Sequence, residues 1–216
     1  IDTNNAELEG KDKALQVILE KINDFLLEIP NIPDESVPNG KNENDNVVIK
    51  KYGSITTDNS LDHLEITKNI DTDLATKLAG ARFSVLRGNL AKLQRSLISF
   101  MIDTAIKNGY EEYYVPFMAN RESLIGTGQL PKFEEDLFKV SENLYLIPTA
   151  EVPLTNLFRD NFLNEGDLPI KATSHTPCFR SEAGSYGKDT RGMIRQHQFE
   201  KIEIVKFTHP NKSDES

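Results

Sequence analysis

The chain has 216 residues, about one and a half usual domain lengths, so it accommodates one domain and an appendage and excludes two large domains. Its 25 Lys and Arg against 34 Asp and Glu give a formal charge of −9, which argues against a basic, sequence-independent nucleic-acid coat. With 38% apolar residues there is material for a core, and no apolar run approaches the roughly 20 residues that span a bilayer.

The acidity is uneven: residues 1–75 hold 16 acidic and 7 basic side chains and residues 76–216 hold 18 of each, so the net charge sits in the first third. In that third Leu15, Leu19, Ile22, Leu26 and Ile29 follow Leu8 at 4-3-4-3 spacing, the seam of a coiled coil about three heptads long. An amphipathic helix lying on its own domain gives the same pattern. The seam begins close to the first residue, an Ile and not a Met, which points to sequence upstream and to a partner helix there or on another chain. Pro30, Pro33 and Pro38 end the helix, and the apolar-free NGKNENDN at 39–46 marks residues 30–46 as a linker. Val47–Tyr52 then reads as a short strand.

From about Leu61 the composition is that of a mixed α and β domain. Leu90, Leu93, Leu97, Met101 and Ala105, widened by Ile98 and Ile102, predict a helix over Asn89–Lys107, with Gly109 at the C′ position. Tyr113–Phe117 is β-prone, but Pro116 cannot donate to a ladder, so this strand belongs at an edge or where pairing changes. A sheet edge beside a long apolar helix offers a dimer surface; ordinary helix-on-sheet packing accounts for it equally. Thr127–Pro131 reads as a loop. Thr149-Ala150-Glu151 stands between a strand-like Leu144–Ile147 and a helical-looking Val152–Asn161. It reads as a helix cap, or as a hydroxyl and a carboxylate set at a strand end to bind an ammonium or hydroxyl group.

Thr176–Phe207 is the most informative stretch. Gly184, Gly187 and Gly192 suit a long hairpin loop over Glu182–Gly192, flanked by β-prone runs. Alternation puts Arg195, His197, Phe199, Lys201 and Glu203 on one face of the returning strand, and Gln196, Gln198, Glu200, Ile202 and Ile204 on the other. Arg180 and Glu182 project together from the outgoing strand. Guanidinium forks for phosphate, an aromatic face for a base and carboxylates for amino groups suit a nucleotide; a solvated face with cross-strand ion pairs is the alternative. Cys178, the only cysteine, excludes an intramolecular disulfide and a Cys-based zinc cage, and reads as a small buried side chain in a reducing, cytoplasmic protein without an apolar leader. The four histidines show no metal-ligand spacing, and no Walker or dinucleotide glycine fingerprint is present.

These residues resemble a known family. Phe179–Gly187 (FRSEAGSYG), Thr190-Arg191-Gly192 and Arg195–Lys201 (RQHQFEK) look like motif 2 of the seryl-tRNA synthetases, class II aminoacyl-tRNA synthetases. Thr149-Ala150-Glu151 resembles the family's serine-binding signature, Thr127–Phe133 (TGQLPKF) its characteristic loop, Gly88–Pro116 its motif 1, and Pro30–Pro38 the linker after its coiled-coil arm.

The resemblance implies an α+β fold: the class II antiparallel sheet flanked by helices, incomplete here, preceded by the end of a helical coiled-coil arm. Residues 1–29 would end the tRNA-binding arm, 30–60 would be linker and a lead-in strand, and 61–216 the N-terminal part of the catalytic domain with motifs 1 and 2. The full-length protein would activate L-serine with ATP and transfer it to tRNA(Ser), with tRNA(Sec) a further candidate, as a cytoplasmic homodimer joined through motif 1 and without a membrane partner. Carried over by position, Arg180 is the catalytic residue on the α-phosphate, Glu182 reads the adenine amino group, Phe199 stacks on adenine, Arg195 reaches the γ-phosphate, and Ser181 and Gln196 complete the ATP site. Thr149, Ala150, Glu151, Arg180 and Glu203 would hold serine. Mg2+ is expected on the phosphates, with its ligands downstream and no metal site assigned in these residues. A 216-residue piece without motif 3 would be inactive by itself. Two alternatives are a synthetase-like ATP and amino-acid binder that charges no tRNA, and a ligase that loads a carrier protein.

Overall fold

The structure, a computed structural model, describes residues 2–54, 60–183 and 192–215. Gly184 and Gly187, with Thr190 and Arg191, lie outside the described residues. The chain separates into two units, Ile1–Ser60 and Leu61–Ser216. Among the described residues no helix is long and apolar enough to cross a membrane.

In the first unit the seam forms one helix, α1, Asp2–Glu28. It stops two residues before Pro30, where the residue preceding a proline is pushed out of helical conformation. Glu7–Lys11 and Glu9–Lys13 close at 2.8 and 2.7 Å, exposed i,i+4 pairs worth about 0.3–0.5 kcal/mol each. Leu8, Leu15, Leu19, Ile22 and Leu26 all remain exposed. The strand expected at Val47–Tyr52 does not form: these residues belong to no strand or helix, and Ile49 is 90% exposed. β-Branched residues favour a strand only when a neighbouring strand supplies hydrogen bonds and packing.

The second unit opens with a single turn, α2 (His63–Ile66), capped by Asp62, whose carboxylate accepts from the Leu64 and Glu65 amides. β1 (Ile70–Asp71) pairs antiparallel with β2 (Val85–Leu86) around α3 (Thr72–Ala79). The long apolar pattern then forms α4, Gly88–Lys107. Asn108 caps it, and Gly109, at φ 82°, donates its amide to Ile106 O, as a glycine after a helix end should. Ile102 and Ala105 are buried, but Leu93, Leu97, Phe100 and Met101 stay exposed.

Tyr113–Phe117 is not itself a strand. Two-residue β3 (Glu111–Glu112) lies at a sheet edge, parallel to β7 (Ile170–Phe179), and three-residue β4 (Met118–Asn120) joins a different sheet. Pro116 sits between the two, where the chain leaves one sheet for the other; a residue without an N–H suits that switch. After α5 (Arg121–Gly126), β5 (Lys139–Ser141) and β6 (Leu144–Leu146) complete the antiparallel order β4-β6-β5. The other sheet runs β3-β7-β8, with β8 at Gln198–Phe207 and a ten-residue antiparallel register from Ile170 opposite Phe207 to Phe179 opposite Gln198. One of its pairings, β3 with β7, is parallel, which the sequence did not indicate.

Between the sheets lies α6, Glu151–Asn156, shorter than the Val152–Asn161 expected because residues 157–160 are turns. Its side chains divide by helical spacing. Val152 enters the cluster of Ala119, Leu124, Leu130, Leu137, Tyr145 and Ile147, while Ala150 and Leu154, four apart, join Val115 and Ala172 in the other. Full burial of Leu154 stabilises by about 1.5–3 kcal/mol. Because α6 is gripped from both sides, the residues at its start, Thr149 to Glu151, are held firmly over β8.

Candidate functional site

The register of β7 and β8 sorts their side chains. Cys178 faces Phe199, Thr176 faces Lys201 and Ser174 faces Glu203, all on the side of Thr149. His175 faces Ile202 and Pro177 faces Glu200 on the side of α4. Alternation therefore separated Phe199, Lys201 and Glu203 from Glu200 and Ile202 correctly.

On the first side Thr149, Glu151, Arg180, Glu182 and Arg195, with Gln129 and Phe133 of the TGQLPKF segment, line a cavity of about 380 Å³. Arg180 is fixed at three points. Its amide donates to His197 O at 3.0 Å, its Nε to Pro148 O at 3.2 Å, and its guanidinium lies 5.3 Å from the centre of the Phe199 ring. Among the described residues no carboxylate forms an ion pair with it, so its charge is available for a ligand. Glu182 holds φ at 52°, a region costly for a residue with a Cβ. Its carbonyl accepts from Arg82 Nη1 at 2.8 Å, and its carboxylate pairs with Arg195 Nη1 at 3.1 Å.

Next to this charged group is a tight polar cluster. Thr149 Oγ1 donates to Glu203 Oε2 at 2.7 Å and accepts from Lys201 Nζ at 2.9 Å and from the Glu151 amide at 3.1 Å; Lys201 Nζ is 2.6 Å from Glu203 Oε2. The N-cap position of α6 is Ala150, which makes no side-chain cap bond, so Thr149 is not the cap residue; it stands one residue earlier and accepts from the first helical amide. Ala150 is buried in the core beneath.

Three expected ATP-site residues are not among those that line the cavity: Phe199, whose ring lies against the Arg180 guanidinium, Ser181 and Gln196. Ser181 bonds through its amide to Asp136 O at 2.9 Å and through its hydroxyl to Glu135 O, fastening the outgoing strand to the turn at Glu134–Asp136. Gln196 is buried on the α4 side, where its Oε1 accepts from Ser84 at 3.0 Å and, among the described residues, its Nε2 has no partner. Alternation had already put Gln196 opposite Arg195.

Other residues contribute without a sequence signal. Arg82, at φ 61°, ties the hairpin through Glu182 O and through its own carbonyl, which accepts from the His197 amide. The His197 ring packs against Phe83 and Phe138 and donates from Nδ1 to Arg180 O at 2.9 Å, so it braces Arg180. His63 Nε2 accepts from the Met193 amide at 3.0 Å, and a Cβ on Gly192 would collide with that ring. Burial pushes the Cys178 thiol above its ordinary range, as fits a packed residue and not a nucleophile. The hydroxyl of buried Tyr145, donating to Glu134, holds that carboxyl below its usual range. Among the described residues no group of three or more His, Cys, Asp or Glu side chains converges to hold a metal ion.

Residues 132–216 match the family model of the tRNA synthetase class II core domain (G, H, P, S and T). The whole chain aligns at 51% identity with a serine–tRNA ligase of Cellvibrio japonicus, and 97% of it at 52% identity with one of Herminiimonas arsenicoxydans; it spans about half, 52%, of each. Among solved structures it resembles a seryl-tRNA synthetase from Pyrococcus horikoshii complexed with ATP (TM-score 0.82, 35% identity, 97% of this chain and 52% of that one). A cytoplasmic serine–tRNA ligase from Naegleria fowleri in complex with AMP gives TM-score 0.84 at 33% identity, over 96% of this chain and 51% of that one. Motif, fold and similarity along its length agree: residues 132–216 carry a class II tRNA synthetase core domain, and the chain is similar to about half of a serine–tRNA ligase.

Proposed function

We propose that the full-length protein is a serine–tRNA ligase that activates L-serine with ATP and passes the seryl group to tRNA(Ser). The observation that carries this is the convergence of Arg180, Glu151 and Thr149 at one cavity, with Glu203 bonded to Thr149 beside it, in a chain half identical to serine–tRNA ligases. A serine carboxylate oxygen bonds to the α-phosphorus of ATP while the bond to the bridging oxygen breaks and pyrophosphate leaves. Arg180 meets the charge that builds on the α-phosphate, and Glu182 and Arg195 exchange their mutual contact for the adenine amino group and the γ-phosphate. Glu203 and Glu151 take the ammonium and hydroxyl of serine. Such a displacement asks for positioning and electrostatic support and no protein nucleophile. A ribose hydroxyl of the tRNA end then attacks the seryl carbonyl and AMP departs. Mg2+ would ride on the ATP phosphates, with no ligands assigned among these residues.

The exposed apolar residues of α4 support a homodimer joined through Gly88–Pro116, and the reaction is compatible with a cytoplasmic setting. Serine-dependent exchange of pyrophosphate into ATP by the full-length protein tests the proposal. Exchange with serine above all other amino acids, followed by charging of tRNA(Ser), is expected. No exchange, better exchange with another amino acid, or transfer to a carrier protein instead of tRNA would overturn it.

A further inference from the structure

Thr149 was expected to hold serine by its hydroxyl, but that hydroxyl is fully committed. A threonine hydroxyl has one proton and two lone pairs. Here the proton goes to Glu203 Oε2, and the lone pairs receive Lys201 Nζ and the Glu151 amide. The residue is 4% exposed. Lys201 donates to Glu203 Oε2 as well, so that one carboxylate oxygen collects two donors, one of them charged. Among the described residues nothing bonds to Glu203 Oε1.

We infer that Lys201 is a positioning residue for the amino-acid site: with Thr149 it locks Glu203 so that a single oxygen, Oε1, is offered to the ammonium or hydroxyl of the substrate. The inference rests on the functional reading above and deepens it. Lys201 itself touches no substrate. It fixes the rotamer of Glu203 by a bond to the oxygen that the ligand does not use. A carboxylate free to rotate would offer either oxygen, and the hydroxyl-reading geometry that separates serine from alanine would be blurred. The sequence placed Lys201 on the correct face but could not show that two residues 52 apart, Thr149 and Lys201, share an oxygen partner.

The test is a double-mutant cycle on serine-dependent exchange in the full-length protein, with Lys201→Met, Glu203→Gln and both together. Removing a charged hydrogen bond of this kind is expected to raise KM for serine by about ten-fold or more, with KM for ATP and kcat changed less than about three-fold. Lys201→Arg should recover part of the loss. In the Glu203→Gln background the Lys201→Met change should add less than about two-fold, because the neutral amide is no longer locked by the cation. An unchanged serine KM, an equal rise in KM for ATP, or fully additive effects would overturn the inference, the second by showing general damage. If the Met variant does not fold, Thr149→Val supplies the same cycle with Glu203→Gln. Wild-type protein without serine-dependent exchange overturns the functional reading, and the inference with it; additive effects in an active wild type overturn the inference alone.

Discussion

On the front of β7 and β8, Thr149, Lys201 and Glu203 close a ring of bonds between 2.6 and 2.9 Å, whereas on the back Leu93, Leu97, Phe100 and Met101 of α4 remain 43 to 65% exposed. The two faces belong to one hairpin and one register. Among the described residues each hides a buried polar atom without a hydrogen-bond partner, Ser174 Oγ in front and Gln196 Nε2 behind. The difference is in what finishes each face. The front is completed by the chain's own side chains, drawn from the residue run that leads into α6 and from β8, so its geometry is set before any ligand arrives. The back is an apolar helix over a groove of about 660 Å³ that the described residues leave open. The larger hollow is therefore the one without convergent charge, and size is a poor guide to where the chemistry lies.

If the front is a preset electrostatic site, its chemistry and its stability should separate. Arg180→Ala is expected to lower serine-dependent exchange by about 100- to 1000-fold, the usual loss when a group that supports transition-state charge is removed. Melting temperature should move only a few degrees, because the guanidinium contributes one hydrogen bond, to Pro148 O, and no ion pair among the described residues. Retained exchange, measured alongside a normal melt, would move the reacting centre away from the front face.

The back should behave in the opposite way. Placing charge there with Leu97→Glu and Met101→Glu together is expected to weaken self-association by about 100-fold or more, since a carboxylate enclosed in an apolar interface pays heavily for lost water. In a single chain those positions are exposed, so the fold should tolerate them. Sedimentation of the full-length protein reads the result: a shift from dimer to monomer with an intact melt is expected, and an unshifted dimer would assign the interface to another surface.

How much of this contrast was legible in the sequence depends on the distance between partners. Local periodicity carried α1, α4 and Gly109, and alternation carried the division of β8 into a front and a back. Pairings across long separations left no trace: Arg82 with Glu182 lies 100 residues apart, and His63 with Met193 lies 130. Lys201 was visible as a lysine on the front face, but its role depends on sharing Glu203 Oε2 with Thr149. Gln196 shows the converse. Alternation placed it behind, the resemblance assigned it to ATP, and its bond to Ser84 places it beside α4. Val47–Tyr52 failed for a different reason, since β-prone residues without a neighbouring strand have nothing to pair with.

The smallest effect is expected at Cys178, which lies on the front beside the chemistry yet takes no part in it. Its side chain is buried opposite Phe199, its thiol makes weak contacts with Thr176, and burial raises its pKa above the ordinary thiol value of 9.0. Cys178→Ala should leave exchange within about two-fold, and lose about 1 kcal/mol or less of stability for one missing sulfur in a packed face. The proton linkage has a definite sign. The unfolded chain releases the thiol proton near the ordinary value while the folded chain retains it, so stability is fully present below that pH and falls as pH rises through the higher folded value. Denaturant unfolding at pH 7 and above pH 9 should therefore show a decline in the wild type that is smaller in Cys178→Ala. Equal declines in the two proteins would mean that the thiol is not desolvated. A large loss of exchange at neutral pH would make Cys178 part of the front-face chemistry and overturn its assignment to packing.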